Sequence, residues 1–168
     1  APTVLTLHDA WLTSGHCAHS LECERWRTGC GRCPDLTTYP AIQRDATAYN
    51  WKRKQRILAG CRLYLATPSR WLMSKAQESI VAPAVIEARV IPNGVDMSVF
   101  RPGDRLGARV ALGIDETSHV LLFSANGGRR NRWKDYDTVR NAIAIVGDRK
   151  DMGGDILLIA LGEDAPTE

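Results

Sequence analysis

The stretch Arg89-Val90-Ile91-Pro92-Asn93-Gly94-Val95-Asp96-Met97-Ser98-Val99-Phe100-Arg101-Pro102 constrains the fold more than any other. It opens on apolar, strand-forming residues. Pro92 and Pro102 then fix φ and remove backbone donors, and Asn93-Gly94 favours a turn, so a short strand exits into a rigid connection. Strand-like and helix-like segments alternate on both sides of it. The segment reads as a linker, 92–102, between two α/β units at 1–91 and 103–168; a surface turn within one domain is the plainer alternative.

Composition narrows the classes. A chain of 168 residues, 44% hydrophobic and 24% charged, has the make-up of a globular protein and is neither disordered nor built around a membrane span. A net charge of +3 gives no support to nucleic-acid binding. No apolar run approaches the ~20 residues of a spanning helix, and no secretion signal is evident. The chain runs straight into strand-like Thr3-Val4-Leu5-Thr6-Leu7 and closes on strand-like Ile156 to Leu161, so it reads as an excerpt truncated at both ends, with an intact small domain as the alternative.

Val4 to Leu7 is expected to be a buried parallel strand that delivers His8 and Asp9 at its carboxyl end, where open α/β sheets bind ligands. Between Trp11 and Pro34 the loop carries Cys17, Cys23, Cys30 and Cys33, spaced C-x5-C-x6-C-x2-C. With His16 and His19 nearby, a tetrahedral structural zinc site is physically available. Free or transiently paired thiols, and two disulfides with Cys61 left over, stay open. Four cysteines would close the coordination sphere, which argues against a catalytic metal.

A helix is expected from Asp45 to about Ala59, with Ala48, Trp51, Gln55 and Leu58 inward and Lys52, Arg53, Lys54 and Arg56 outward; a Trp-anchored basic helix of this kind can also lie on anionic lipid. Cys61–Ala66 reads as a strand, and Ser69 as the N-cap of a helix to about Ser79. Asp104 caps a helix over 105–112 stopped by Gly113. Four apolar residues in succession, Val120 to Phe123, predict a parallel strand covered on both faces. It leads through Asn126-Gly127-Gly128-Arg129-Arg130-Asn131-Arg132-Trp133-Lys134 into a helix from about Asp135 to Val146. Strand, glycine turn, cationic loop and helix start together make an anion site, for which a solvated basic loop is the bland alternative.

Four separated blocks resemble the family 4 retaining glycosyltransferases. They are Ile91-Pro92-Asn93-Gly94-Val95-Asp96 with Phe100-Arg101-Pro102, Leu7-His8-Asp9-Ala10-Trp11, Pro68-Ser69-Arg70-Trp71-Leu72, and Cys23-Glu24-Arg25-Trp26 continuing to Gly29-Cys30-Gly31-Arg32-Cys33-Pro34. The last block matches a subgroup with a four-cysteine insert. The resemblance implies parts of two Rossmann-like domains of the GT-B fold facing each other across a cleft. It implies transfer of a sugar, with retention, from a nucleotide-diphosphate sugar to an acceptor hydroxyl on a glycan or lipid-linked sugar, as in polysaccharide biosynthesis, without a catalytic metal. His8 would line the cleft. Lys134 would hold the donor diphosphate, with Arg129 or Arg130 replacing an arginine whose usual place falls at Asn126 or Gly127, beside Gly128. Asp135 departs from the family's usual glycine after the lysine. The expected setting is cytoplasmic, with contact at the inner face of the membrane, and the excerpt alone should be inactive. A non-enzymatic zinc-binding interaction module and a nucleotide-sugar epimerase of GT-B fold are the rival readings.

Overall fold

The computed structural model describes residues 2–126, 133–147 and 153–162. The chain is α/β with two parallel sheets, Rossmann-like in each half, and it divides into compact units Ala1–Met97 and Ser98–Glu168. The division falls between Met97 and Ser98, within 92–102.

In the first unit, β1 (Thr3–Thr6), β2 (Leu63–Thr67) and β3 (Val85–Val90) form a parallel sheet in that order. Register is set by pairs such as Leu5 with Leu65 and Leu65 with Ala88. The strand at the centre is the buried one: Leu63, Leu65, Ala66 and Thr67 are inside. β1 corrects the expectation of a buried strand, since Val4 is 76% exposed and only Leu5 and Leu7 meet the core. An edge strand with one covered face buries alternate residues.

Two crossover helices supply the rest of the core. α2 (Thr47–Leu58) follows a one-turn helix α1 (Arg25–Thr28), and α3 (Arg70–Gln77) follows β2. Trp51, Leu58, Leu72, Met73 and Ala76 pack with Leu63, Leu65 and Val81 in one cluster. The buried face of α2 differs from the apolar pattern: Thr47, Trp51 and Leu58 are inside, whereas Ala48 and Gln55 are exposed. Thr47 is 1% exposed because its hydroxyl and N–H are held by Asp45 Oδ1 at 2.6 and 3.0 Å. A satisfied threonine can sit inside where an alanine was expected. Trp51 is no membrane anchor: it is 7% exposed and its Nε1 donates to the Trp26 carbonyl at 2.8 Å. Ser69 caps α3 as anticipated, accepting from Leu72 N at 3.3 Å.

In the second unit, β4 (His119–Ser124) pairs in parallel with β5 (Ile156–Leu161), Leu121 opposite Leu158. α4 (Arg105–Leu112) starts on Asp104, which accepts from Gly107 N at 3.0 Å, and stops at Gly113 with φ 66°. α5 (Tyr136–Gly147) leans Val139, Ile143 and Val146 inward, and Tyr136 meets Phe123 edge to face at 5.3 Å. β4 corrects the expectation of cover on both faces, with Leu122 64% and Leu121 45% exposed. An apolar run states what a strand can bury, not that a second layer lies over it. No helix among the described residues is long and apolar enough to cross a membrane.

Candidate active site

Because both sheets are parallel, each unit gathers the ends of its strands on one edge, where the loops that bind ligands in such sheets arise. In the first unit the ladder extends one residue past β1, through Leu7 N to the Ala66 carbonyl at 2.9 Å. His8 follows directly and is exposed. Asp9 then turns the chain, its Oδ1 accepting from Trp11 N at 2.8 Å. Anchored Leu7 and the Asp9 turn thus hold the His8 backbone at the carboxyl end of β1, and Thr67 and Ser69 occupy the same end of β2.

In the second unit Asn126 follows β4 as an exposed turn residue, and Lys134 is exposed two residues before α5. Asp135 occupies φ 47°, where glycine is at ease and aspartate is among the better-tolerated alternatives. Its carboxylate caps α5, accepting from Thr138 N at 3.3 Å and Thr138 Oγ1 at 2.7 Å. Asp135 thus takes a backbone bend that glycine adopts without cost and adds a cap to α5. Gly127, Gly128, Arg129 and Arg130, the remaining anticipated diphosphate contacts, lie outside the described residues.

The cysteine loop forms a second locus, within the first unit. Cys17, Cys23, Cys30 and Cys33 are free and half-buried, and all four line one small cavity with His16 and Trp26. Gly15 N donates to Cys30 Sγ at 3.2 Å, and His16 Nε2 lies 3.3 Å from Cys33 Sγ. His16 Nδ1 is 3.3 Å from the Pro40 carbonyl, an acceptor only, so that nitrogen carries a proton. Burial, with the neighbouring thiols adding to it, pushes the Cys30 thiol up to about 11; burial also raises Cys33. Among the described residues, no group of three or more His, Cys, Asp or Glu could hold a metal ion as placed. Cys61 stands apart, its thiol donating to the Ile57 carbonyl at 3.3 Å.

Two lysines brace this loop, and sequence reasoning had given neither that role. Lys54, assigned to a solvent face, donates to the carbonyls of Trp11 and Ser14 at 2.5 and 2.9 Å and lies 3.5 Å over the Trp11 ring. Burial lowers it to about 8. Lys75 is 8% exposed, donates to Ser20 Oγ at 2.5 Å and sits over the Trp26 ring at 4.5 Å; burial lowers it too. A basic residue within an amphipathic helix gives no sequence signal of such burial, because its apolar stem packs while its tip finds carbonyls and rings.

The chain is similar to known proteins. It is 35% identical over 100 residues to WcaC of Escherichia coli, described as a colanic acid biosynthesis glycosyl transferase, covering 56% of this chain and 24% of that protein. It is 42% identical over 66 residues to the D-inositol 3-phosphate glycosyltransferase of Mycolicibacterium vanbaalenii, 39% of this chain and 14% of the other. D-inositol 3-phosphate glycosyltransferase 1 of Catenulispora acidiphila is 35% identical over 92 residues, 52% of this chain and 21% of the other. These relatives are glycosyltransferases. The matched regions span about a quarter of their length or less. No family model and no solved structure matches the chain.

Proposed function

We propose that the chain is a portion of a retaining glycosyltransferase that moves a sugar from a nucleotide-diphosphate donor to an acceptor hydroxyl. The similarity to WcaC carries the reading. The two parallel α/β units support it, since each presents its candidate side chains at strand carboxyl ends. In this reading Lys134, with Arg129 or Arg130 and the amides of Asn126, Gly127 and Gly128, neutralises the donor diphosphate as it becomes the leaving group. That charge develops most fully in the transition state, so fixed cations favour it over the bound donor and no metal is required. His8 lines the space beside the transferred sugar. Its imidazole would hydrogen-bond a sugar hydroxyl and orient the anomeric carbon. The acceptor is a glycan or a lipid-linked sugar.

The test is thermal stabilisation of the chain by uridine and guanosine diphosphates. One nucleotide is expected to raise the melting temperature, and Lys134→Ala to abolish that rise with the nucleotide-free melting temperature unchanged, because Lys134 is exposed. Indifference of the wild-type chain to both nucleotides, or stabilisation untouched by the substitution, would overturn the donor-site assignment. The chain alone is expected to transfer no sugar.

A further inference from the structure

The cysteine loop carries a feature that sugar transfer does not use. Four free sulfurs line a cavity of about 20 Å³, room for one ion but for little more than a single water. Gly15 N–H donates to Cys30 Sγ, His16 Nε2 stands 3.3 Å from Cys33 Sγ, and the indole N–H of Trp26, a residue lining the cavity, is buried without an acceptor among the described residues. Lys54 and Lys75 lie within electrostatic reach of the sulfurs. The Gly15 amide, the Trp26 indole and the two lysines thus set donors and positive charge beside sulfurs that, as thiols, accept only weakly. Thiolate sulfurs would accept strongly, and thiolates this crowded need a cation among them.

The backbone is shaped to bring the sulfurs together. Between Cys30 and Cys33 both Gly31 (φ 139°) and Arg32 (φ 47°) take positive φ, which makes the two-residue connection a tight turn. Gly15 touches α2 so closely that a Cβ there would stand 2.5 Å from the Thr47 carbonyl and 2.9 Å from Cys30 Cβ.

We propose that the loop binds one zinc ion, ligated by Cys17, Cys23, Cys30 and Cys33, and that this ion fixes the 12–34 segment against α2. Each thiol gives its proton to solvent as its Zn–S bond forms. Since the side chains as placed could not hold an ion, the sulfurs close to about 3.8 Å from one another, the spacing that tetrahedral bonds of about 2.3 Å impose. The site then carries two net negative charges beside Lys54 and Lys75, with the indole and Gly15 amides as outer donors to sulfur. The inference is independent of the sugar-transfer reading, because every residue in it belongs to the first unit.

The experiment is metal analysis of the chain purified under reducing conditions with zinc in the medium. The wild type and the Cys61→Ser control are expected to hold about one zinc per chain, and Cys30→Ser/Cys33→Ser at least tenfold less. Cobalt titration of the metal-free wild type gives a readout that needs no variant: intense thiolate-to-metal charge-transfer and tetrahedral d–d bands are expected. Zinc below about a tenth per chain in the wild type, zinc undiminished in the double variant, or a weak octahedral cobalt spectrum would each overturn the proposal. So would disulfides forming in place of metal binding, read as a loss of two hydrogens per pair by mass spectrometry.

Discussion

Gly15→Ala is the substitution on which the local packing makes its sharpest demand. The added Cβ would meet three atoms at 2.5, 2.7 and 2.9 Å: the Thr47 carbonyl oxygen, Thr47 Cβ and Cys30 Cβ. Ordinary contact for a Cβ begins near 3.4 Å, so the overlap approaches 1 Å at the first of these. None of the three can move freely. Thr47 is 1% exposed, begins α2 and is held by Asp45, and Gly15 N is itself tied to Cys30 Sγ. Overpacking of a fixed wall costs about 1–3 kcal/mol, and this site belongs at the upper end because the obstructing atom is backbone. Gly60→Ala is the control: the nearest atom is 3.7 Å away, so the change should be neutral or stabilise by up to about 1 kcal/mol. Urea unfolding followed by tryptophan fluorescence reports on the first unit, which holds Trp11, Trp26, Trp51 and Trp71. A Gly15→Ala midpoint within about 0.5 kcal/mol of the wild type would refute the packing described here.

Other outcomes follow from the same contacts. Trp51→Phe keeps a ring in the core but leaves the Trp26 carbonyl without its donor, and should cost about 1–3 kcal/mol in the same assay. Ser69→Ala removes the α3 cap and should cost about 1 kcal/mol, with Ser69→Asp recovering most of it. Asp45 is held down to about 2 by hydrogen bonds from the Thr47 hydroxyl, the Cys33 amide and the Thr47 amide. A carboxyl depressed on folding contributes stability that is complete above its unfolded value of about 3.9 and is lost as pH falls through its folded value. Asp45→Asn should therefore flatten the loss of stability between about pH 4 and pH 2, followed by circular dichroism, with Asp35, Asp115 and Glu24, depressed by bonds from Thr37 and Thr38, Thr117 and Arg27, keeping part of the acid sensitivity.

Much of this architecture was legible because it rests on local chemistry. Asp104, Gly113 and Ser69 mark helix ends through single hydrogen bonds or one backbone conformation, and each does so in the structure. The inward face of α2 was misread because two of its contributors are polar. Thr47 enters through its bonds to Asp45, and Lys54 through carbonyls forty and more positions away. The exposure of Leu122 was equally invisible, since a strand's sequence carries no record of which layer lies above it. At the candidate site, the position of His8 just past β1 and of Lys134 just before α5 could be read from the sequence, whereas the conformation of Asp135 emerged only from its φ. The interior of the cysteine loop had no period to read. Trp26, Lys75 and His16 acquire roles there from contacts that span 17 to 55 positions.

The most direct measurement is the anomeric configuration of the product formed by the whole protein from a panel of nucleotide-diphosphate hexoses, followed by proton NMR with nucleotide release monitored in parallel. Release of nucleoside diphosphate matched by a glycoside of the donor's own configuration, both lost in Lys134→Ala, is the predicted result. An inverted product, or no release from any donor by the folded protein, would contradict the account.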